Sequence, residues 1–140
     1  NVIKNTSLQG RFEYYSIKPD IIFDSAHNPE GIANFLSEFK REMGKYSKRV
    51  LLFGVMKDKS IKGMLSNLAG NFDEIHITQV NVERSSKIED LQNIAKDLGI
   101  TTISEPDPVE FVKKFKIQSS DNCLVVLGSM YLVGEIKTAL

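Results

Sequence analysis

Short apolar runs alternate with longer amphipathic stretches along most of the chain. An extended start from Phe12 to Ile17 turns at Pro19 into the run Asp20 to Phe23, and the later runs are RVLLFGV, EIHITQV, ITTIS and CLVVLG. Runs of about 4–8 apolar residues bounded by turn residues predict strands buried on both faces. Between them, apolar residues recur at helical spacing. Asn28 is a good cap and Pro29 suits the first position of a helix carrying Ile32, Phe35, Leu36, Phe39 and Met43, stopped by Gly44. Ser60 is placed to cap a short helix with Ile61, Met64, Leu65 and Leu68. Ser86 and Glu89 have capping-box spacing ahead of a stripe of Ile88, Leu91, Ile94, Ala95 and Leu98, and Gly99 stands where a terminating glycine belongs. Asp107, Pro108 and Glu110 open another helix with Phe111, Val112 and Phe115 inward, and Ser129 caps a last helix running to Leu140.

Strands alternating with helices are βαβ units, so the expected class is α/β: an open, mostly parallel, Rossmann-like sheet flanked by helices. In such sheets ligands bind beyond the carboxyl ends of the strands, where the amides of the next helix point outward and its dipole favours anions. The segment DSAHN, Asp24 to Asn28, falls at such a place.

A chain of 140 residues fits one domain, residues 1–140, with a sizeable core. No repeat, linker or low-complexity stretch divides it. Its 18 basic and 18 acidic residues cancel, so no long-range field draws it to nucleic acid or an anionic membrane. Any anion site is local. The single cysteine, Cys123, sits in the apolar run CLVVLG and reads as a small buried hydrophobe; one cysteine builds no disulfide framework. No apolar run approaches the roughly 20 residues of a membrane span, and the start lacks the marks of a signal peptide. The expected location is the cytoplasm. The chain opens on Asn1 and not on Met, which raises the expectation that it is cut from a longer polypeptide.

Asp24 and His27 lie three apart across a strand-to-helix turn. Both can face one ligand above the sheet; equally, Asp24 can bond the turn while His27 stands exposed, and spacing alone leaves the two open. Asn28 needs no role beyond capping. GVMKDKS imitates a phosphate loop, but Asp58 stands where a Walker A motif requires glycine. Lys57 and Lys59 can meet an anion at the helix start or stand as a solvated pair beside Asp58. In GSMYLVG, Gly128 permits close backbone approach and Ser129 caps. Arg11, just before the first strand, can clamp a phosphate or carboxylate or lie on the surface. His76 alternates with apolar neighbours and reads as structural. The sequence has no Gly-x-Gly-x-x-Gly, no Gly-x-Ser-x-Gly elbow and no metal-ligand spacing among its two histidines and one cysteine. These residues alone name no reaction.

GRFE, PDIIFDSAHNPEGI, LLFGVMKDKS and LVVLGSMYLVGEI, in that order and spacing, resemble the carboxy-terminal domain of folylpolyglutamate synthases and dihydrofolate synthases, within the Mur ligase superfamily. The resemblance covers essentially the whole chain, and its specific part is D-x-A-H-N-P after a Gly-Arg. Peptidoglycan Mur ligases share the fold, with motifs that usually differ more. The resemblance implies a glutamate ligase domain of an ATP-dependent carboxylate–amine ligase. In that family ATP with magnesium phosphorylates a folate or pteroate carboxylate, and the amine of glutamate attacks the acyl phosphate.

Carried over by resemblance, Arg11 reaches ATP phosphates across a domain interface, Asp24 and His27 contact the nucleotide and close the active site, and Asn28 and Pro29 shape the turn beneath them. Ser129, with Lys57 held more loosely beside it, belongs to the glutamate side. Ser25 replaces a glycine often found after the motif aspartate, a change expected to be tolerated. Asp24 and His27 are expected on a surface turn outside the core. The family's Walker A loop, its magnesium ligands and most of its folate site belong to an amino-terminal ATPase domain not included in this chain. The implied cofactors are therefore ATP and Mg2+, the implied partners that domain, glutamate and a folate or pteroate, and the chain alone is expected to be inactive. Two alternatives stand beside this reading: a Mur-type ligase domain for a cell-wall precursor or another amino-acid polymer, and a stand-alone nucleotide or anion-binding module.

Overall fold

The structure, a computed structural model, describes residues 10–57, 60–118 and 120–140. Six strands form one sheet: β1 (Glu13–Ser16), β2 (Asp20–Phe23), β3 (Arg49–Phe53), β4 (Glu74–Ile77), β5 (Ile103–Ser104) and β6 (Cys123–Leu127). Their order is β1-β2-β6-β3-β4-β5, parallel throughout except for β1, which runs antiparallel to β2 along one edge. The turn between β1 and β2 contains a cis Lys18–Pro19 peptide. The described helices are α1 (Pro29–Phe39), α2 (Ile61–Leu68), α3 (Ile88–Asp97), α4 (Pro108–Lys116) and α5 (Met130–Ala139), with short 3-10 turns at Met43–Lys45 and Ala69–Asn71.

The alternation of side chains along each strand feeds two separate cores. Ile22, Leu51, Phe53, Ile75, Ile77, Val125 and Leu127 face α1, α2 and α3, with Phe35, Phe39, Met64, Leu65 and Leu91. Ile21, Phe23, Val50, Leu52, Leu124 and Val126 face α4 and α5, with Val112, Phe115, Leu132 and Ile136. The expected α/β sandwich with helices on both faces is thus the observed one. β6 sends its helix to one face while both neighbours, β2 and β3, send theirs to the other. This reversal opens a crevice above the carboxyl ends of all three strands.

Local differences from the expected elements have physical causes. The first helix stops at Phe39, and Met43 belongs to the following 3-10 turn. The capping box at Ser86 and Glu89 does not form: Ser86 is buried, its N–H donates to the Val55 carbonyl, and Lys87 is the residue before α3. Ser60 stands at the cap position of α2 without a side-chain cap bond. ITTIS supplies only the two-residue edge strand β5, which pairs with β4 alone among the described residues. Cys123 is buried as expected, and burial pushes its thiol up to about 12. His76 is structural: Nδ1 lies 2.9 Å from Glu105, Nε2 lies 2.9 Å from Glu74, and the Phe111 ring packs at 4.6 Å. No described helix is long and apolar enough to cross a membrane.

Above the sheet, β3 and β6 approach closely through glycines. The Gly54 N–H donates to the Leu127 carbonyl at 3.3 Å. Gly128 has φ +117°, and a Cβ there would run into the Gly54 carbonyl oxygen. Gly128→Ala therefore combines a strained backbone with a main-chain collision and is expected to cost about 3 kcal/mol, read from urea unfolding. A loss below about 0.5 kcal/mol would contradict that contact. At the other end of the sheet, the Lys48 ammonium, and after it His76, hold the Glu74 carboxyl below its ordinary 4.5. Its share of stability is then present above that pH and is lost as pH falls through the depressed folded value. In acid unfolding, Glu74→Gln should flatten this limb between about pH 5 and pH 3; an unchanged slope would mean that the pair adds nothing.

Candidate functional site

Asp24 follows β2 directly, its N–H donating to the Val126 carbonyl at 3.0 Å. The residue is only 8% exposed, so the expectation of a surface position does not hold for it. A carboxylate this buried needs donors, and it has two main-chain ones. Oδ1 accepts from the Ala26 N–H at 2.8 Å and Oδ2 from the Phe12 N–H at 2.9 Å. Burial raises the Asp24 carboxyl above the usual range, while these two bonds and the nearby Arg11 guanidinium pull the other way.

The bond to Phe12 reaches back twelve residues to the turn that carries Arg11. That turn is unusual: Gly10 has φ +82° and Phe12 has φ +47°, a left-handed conformation that costs a non-glycine residue about 1 kcal/mol. The fold over-determines it. The Phe12 ring packs on Phe35 at 5.2 Å and on Tyr14 at 5.8 Å. The Gly10 carbonyl accepts from Ser25 twice, from the N–H at 2.6 Å and from Oγ at 2.9 Å. Arg11 stands exposed between these anchors, and its guanidinium makes no hydrogen bond or ion pair among the described residues.

His27 is exposed on the same loop. Its Nδ1 lies 3.1 Å from the Ser25 carbonyl. A carbonyl only accepts, so Nδ1 carries the proton in this bond and Nε2 is left toward solvent as an acceptor when the ring is neutral. Asn28 caps α1 as expected, Oδ1 accepting from the Gly31 N–H at 2.7 Å.

Two clefts meet here. The larger, about 480 Å³, lies between the Arg11 turn and α1, with Asp24, His27, Asn28 and Glu38 in its walls. The smaller, about 200 Å³, is bounded by His27, Met56, Lys57, Arg84, Ser129 and Tyr131. His27 is the residue common to both. Ser129 is 2% exposed and caps α5, its Oγ accepting from the Tyr131 N–H at 3.0 Å. Lys57 and Arg84 are held side by side, because the Lys57 N–H donates to the Arg84 carbonyl at 2.8 Å and Met56 pairs with Ser85. Two cations and a helix amino end thus surround the smaller cleft, a setting for a carboxylate.

The sequence candidates therefore fall into two groups, Arg11, Asp24, His27 and Asn28 on one cleft and Lys57, His27 and Ser129 on the other. Lys59 lies outside the described residues. Arg84 was not singled out from the sequence. The available signal is position: VNVERSS is the polar loop after β4, at the same carboxyl edge as the other candidates.

Comparison with known proteins extends this geometry. A family profile described as Mur ligase, glutamate ligase domain, matches residues 10–130. The dihydrofolate synthase/folylpolyglutamate synthase of Escherichia coli is 32% identical over 135 residues, covering 96% of this chain and 31% of that protein. The Bacillus subtilis protein described in the same words is 26% identical over 132 residues, covering 94% of this chain and 30% of the relative. Among solved structures, E. coli FolC in complex with ADP superposes with a TM-score of 0.80 at 24% identity, over 93% of this chain and 31% of that one. A Yersinia pestis folylpolyglutamate synthase/dihydrofolate synthase complexed with AMPPNP and a Mn ion gives a TM-score of 0.79 at 23% identity, over 93% and 30%. The chain thus spans about 30% of the length of the relatives it matches.

The two main-chain bonds to Asp24 predict a stability effect. Asp24→Asn sets an amide NH2 against one of the two N–H donors, and the expected loss is about 1–3 kcal/mol in urea unfolding. A variant as stable as the parent would show that the Asp24 carboxylate does not hold the turn.

Proposed function

Because the chain belongs to the Mur ligase family, to which it is matched as a glutamate ligase domain, we propose that it is the carboxy-terminal domain of an ATP-dependent folylpolyglutamate synthase or dihydrofolate synthase. The reaction is the joining of glutamate to a folate or pteroate carboxylate through an acyl phosphate, in the cytoplasm. The observation that carries this reading is the ridge at His27, with an arginine-bearing cleft on one side and a cleft walled by Lys57, Arg84 and the α5 amino end on the other. Amide ligation needs such a place, where a transferring phosphoryl group and an incoming amino acid meet with their charges compensated.

Arg11 fits an anionic phosphate: its guanidinium makes no hydrogen bond or ion pair among the described residues, and it stands over a cleft of about 480 Å³. ATP supplies the phosphoryl group that activates the carboxylate. Arg11 neutralises phosphate charge, Asn28 and α1 frame the cleft floor, and Asp24 supports the loop from beneath. On the other side Lys57 and Arg84 orient a glutamate carboxylate, and Ser129 holds the α5 amino end that faces it. His27, its Nδ1 held by the Ser25 carbonyl, presents Nε2 where the reacting ends meet. Mg2+ belongs in this reading to the rest of the longer chain, where the resemblance puts its ligands. That part also supplies the phosphate loop, and the two halves work by closing on each other.

In the full-length enzyme His27→Ala should lower kcat about 100-fold in ATP-dependent glutamate addition, with the melting temperature unchanged. Unchanged turnover would overturn the assignment of His27. Parallel assays with dihydropteroate or a folate, and with a nucleotide-linked muramyl precursor, identify the branch. Consumption of the muramyl substrate alone would replace the folate reading. Tight ATP binding by the 140-residue chain by itself, measured calorimetrically, would favour the stand-alone module.

A further inference from the structure

The motif aspartate and the serine after it do a task that neither composition nor spacing assigns to them. We propose that Asp24 and Ser25 form a backbone clamp that fixes the Gly10–Arg11–Phe12 turn and so positions Arg11 for the reaction. This deepens the proposed function and rests on its placement of Arg11 against a phosphate.

Arg11 lies between two residues with positive φ, Gly10 at +82° and Phe12 at +47°. Phe12 would relax to a negative φ if released, and relaxation at a residue adjoining Arg11 redirects the guanidinium. Three bonds oppose this. The Phe12 N–H donates to Asp24 Oδ2 at 2.9 Å, and the Ser25 N–H and Oγ donate to the Gly10 carbonyl at 2.6 and 2.9 Å. The residues on either side of Arg11 are thus tied to consecutive residues at the end of β2. That strand is fixed in turn by its parallel pairing with β6.

The Asp24 carboxylate is itself held still. Each of its oxygens already accepts a main-chain N–H, and only 8% of the residue is exposed. Ser25 is half-buried, and its hydroxyl is committed to the turn at a point where a glycine would contribute only its N–H. Its fit is tight: a Cβ on Gly10 would come within 3.1 Å of Ser25 Oγ. An arginine presented by a pinned turn loses less freedom when it meets a phosphate than one on a loose loop, and that difference appears as affinity.

The test is a double-mutant cycle in the full-length enzyme, read as KM for ATP against kcat. Ser25→Ala removes one hydroxyl bond and leaves the main-chain bonds. It should raise KM for ATP about threefold to tenfold with kcat nearly unchanged, while Ser25→Thr, which keeps the hydroxyl, should restore most of the loss. Arg11→Ala should raise the same KM tenfold or more, on the order expected for a charged hydrogen bond. In the Arg11→Ala background, Ser25→Ala should then have no further effect. An equal effect of Ser25→Ala in both backgrounds, or none in either while Arg11→Ala still weakens ATP, would overturn the clamp and leave the proposed function standing. No effect of Arg11→Ala would remove the reading on which the clamp rests, and the clamp with it. Hydrogen exchange gives a separate readout: Asp24→Asn should speed exchange of the Phe12 amide at least tenfold more than that of the Val125 amide in the sheet centre, and equal acceleration of both would indicate general loosening and overturn the clamp.

Discussion

β6 is the strand on which the rest depends. All five of its residues are buried, and it lies between β2 and β3 although it is the last strand in the chain. A strand with both faces and both edges covered has to satisfy every main-chain polar group through its neighbours. Its registers, Asp20 with Cys123 on one side and Arg49 with Cys123 on the other, put Phe23, Val126 and Leu52 at one level, so the chain leaves all three strands at the same edge of the sheet. The site is the consequence. Three strands end together, their helices diverge to opposite faces, and the loops carrying His27, Lys57 and Ser129 are left around one crevice.

The polar residues at that edge divide their work by burial. Asp24 and Ser129 are sealed in and spend their oxygens on main-chain N–H groups. Arg11, His27, Lys57 and Arg84 are exposed and keep their charged or hydrogen-bonding ends toward the clefts. Buried groups of the first kind give the loops their shape at little conformational freedom, and exposed groups of the second kind are what a ligand meets. Mutating the two kinds should have different signatures, in stability for one and in kinetics for the other.

Much of this was legible in the sequence because apolar runs and helical stripes follow the period of the element they form. Ile21 to Phe23, Leu51 to Phe53 and the run from Cys123 to Leu127 read as buried strands, and Asn28, Asp107 and Ser129 cap as their positions suggest. The misreadings were at ends. Ser86 has the spacing of a cap, but tertiary contact with Val55 draws it into the core, and Met43 continues the stripe of α1 only until the chain turns away. Bonds between distant segments leave no local signature. The twelve-residue reach of Asp24 to Phe12, the pairing of Ser25 with Gly10 and the adjacency of Lys57 and Arg84 depend on strand order, which periodicity does not encode.

On the proposed function, this domain lends a positioned arginine to a nucleotide bound largely by the rest of a longer ligase. The direct measurement is a crystal structure of the full-length enzyme with a non-hydrolysable ATP analogue, Mg2+ and glutamate. The account predicts the Arg11 guanidinium within hydrogen-bond distance of a phosphate oxygen, the Phe12 N–H still on Asp24, and the glutamate carboxylate between Lys57 and Arg84. A closed, ligand-bound enzyme in which Arg11 points to solvent and the glutamate lies away from the His27 ridge would contradict it.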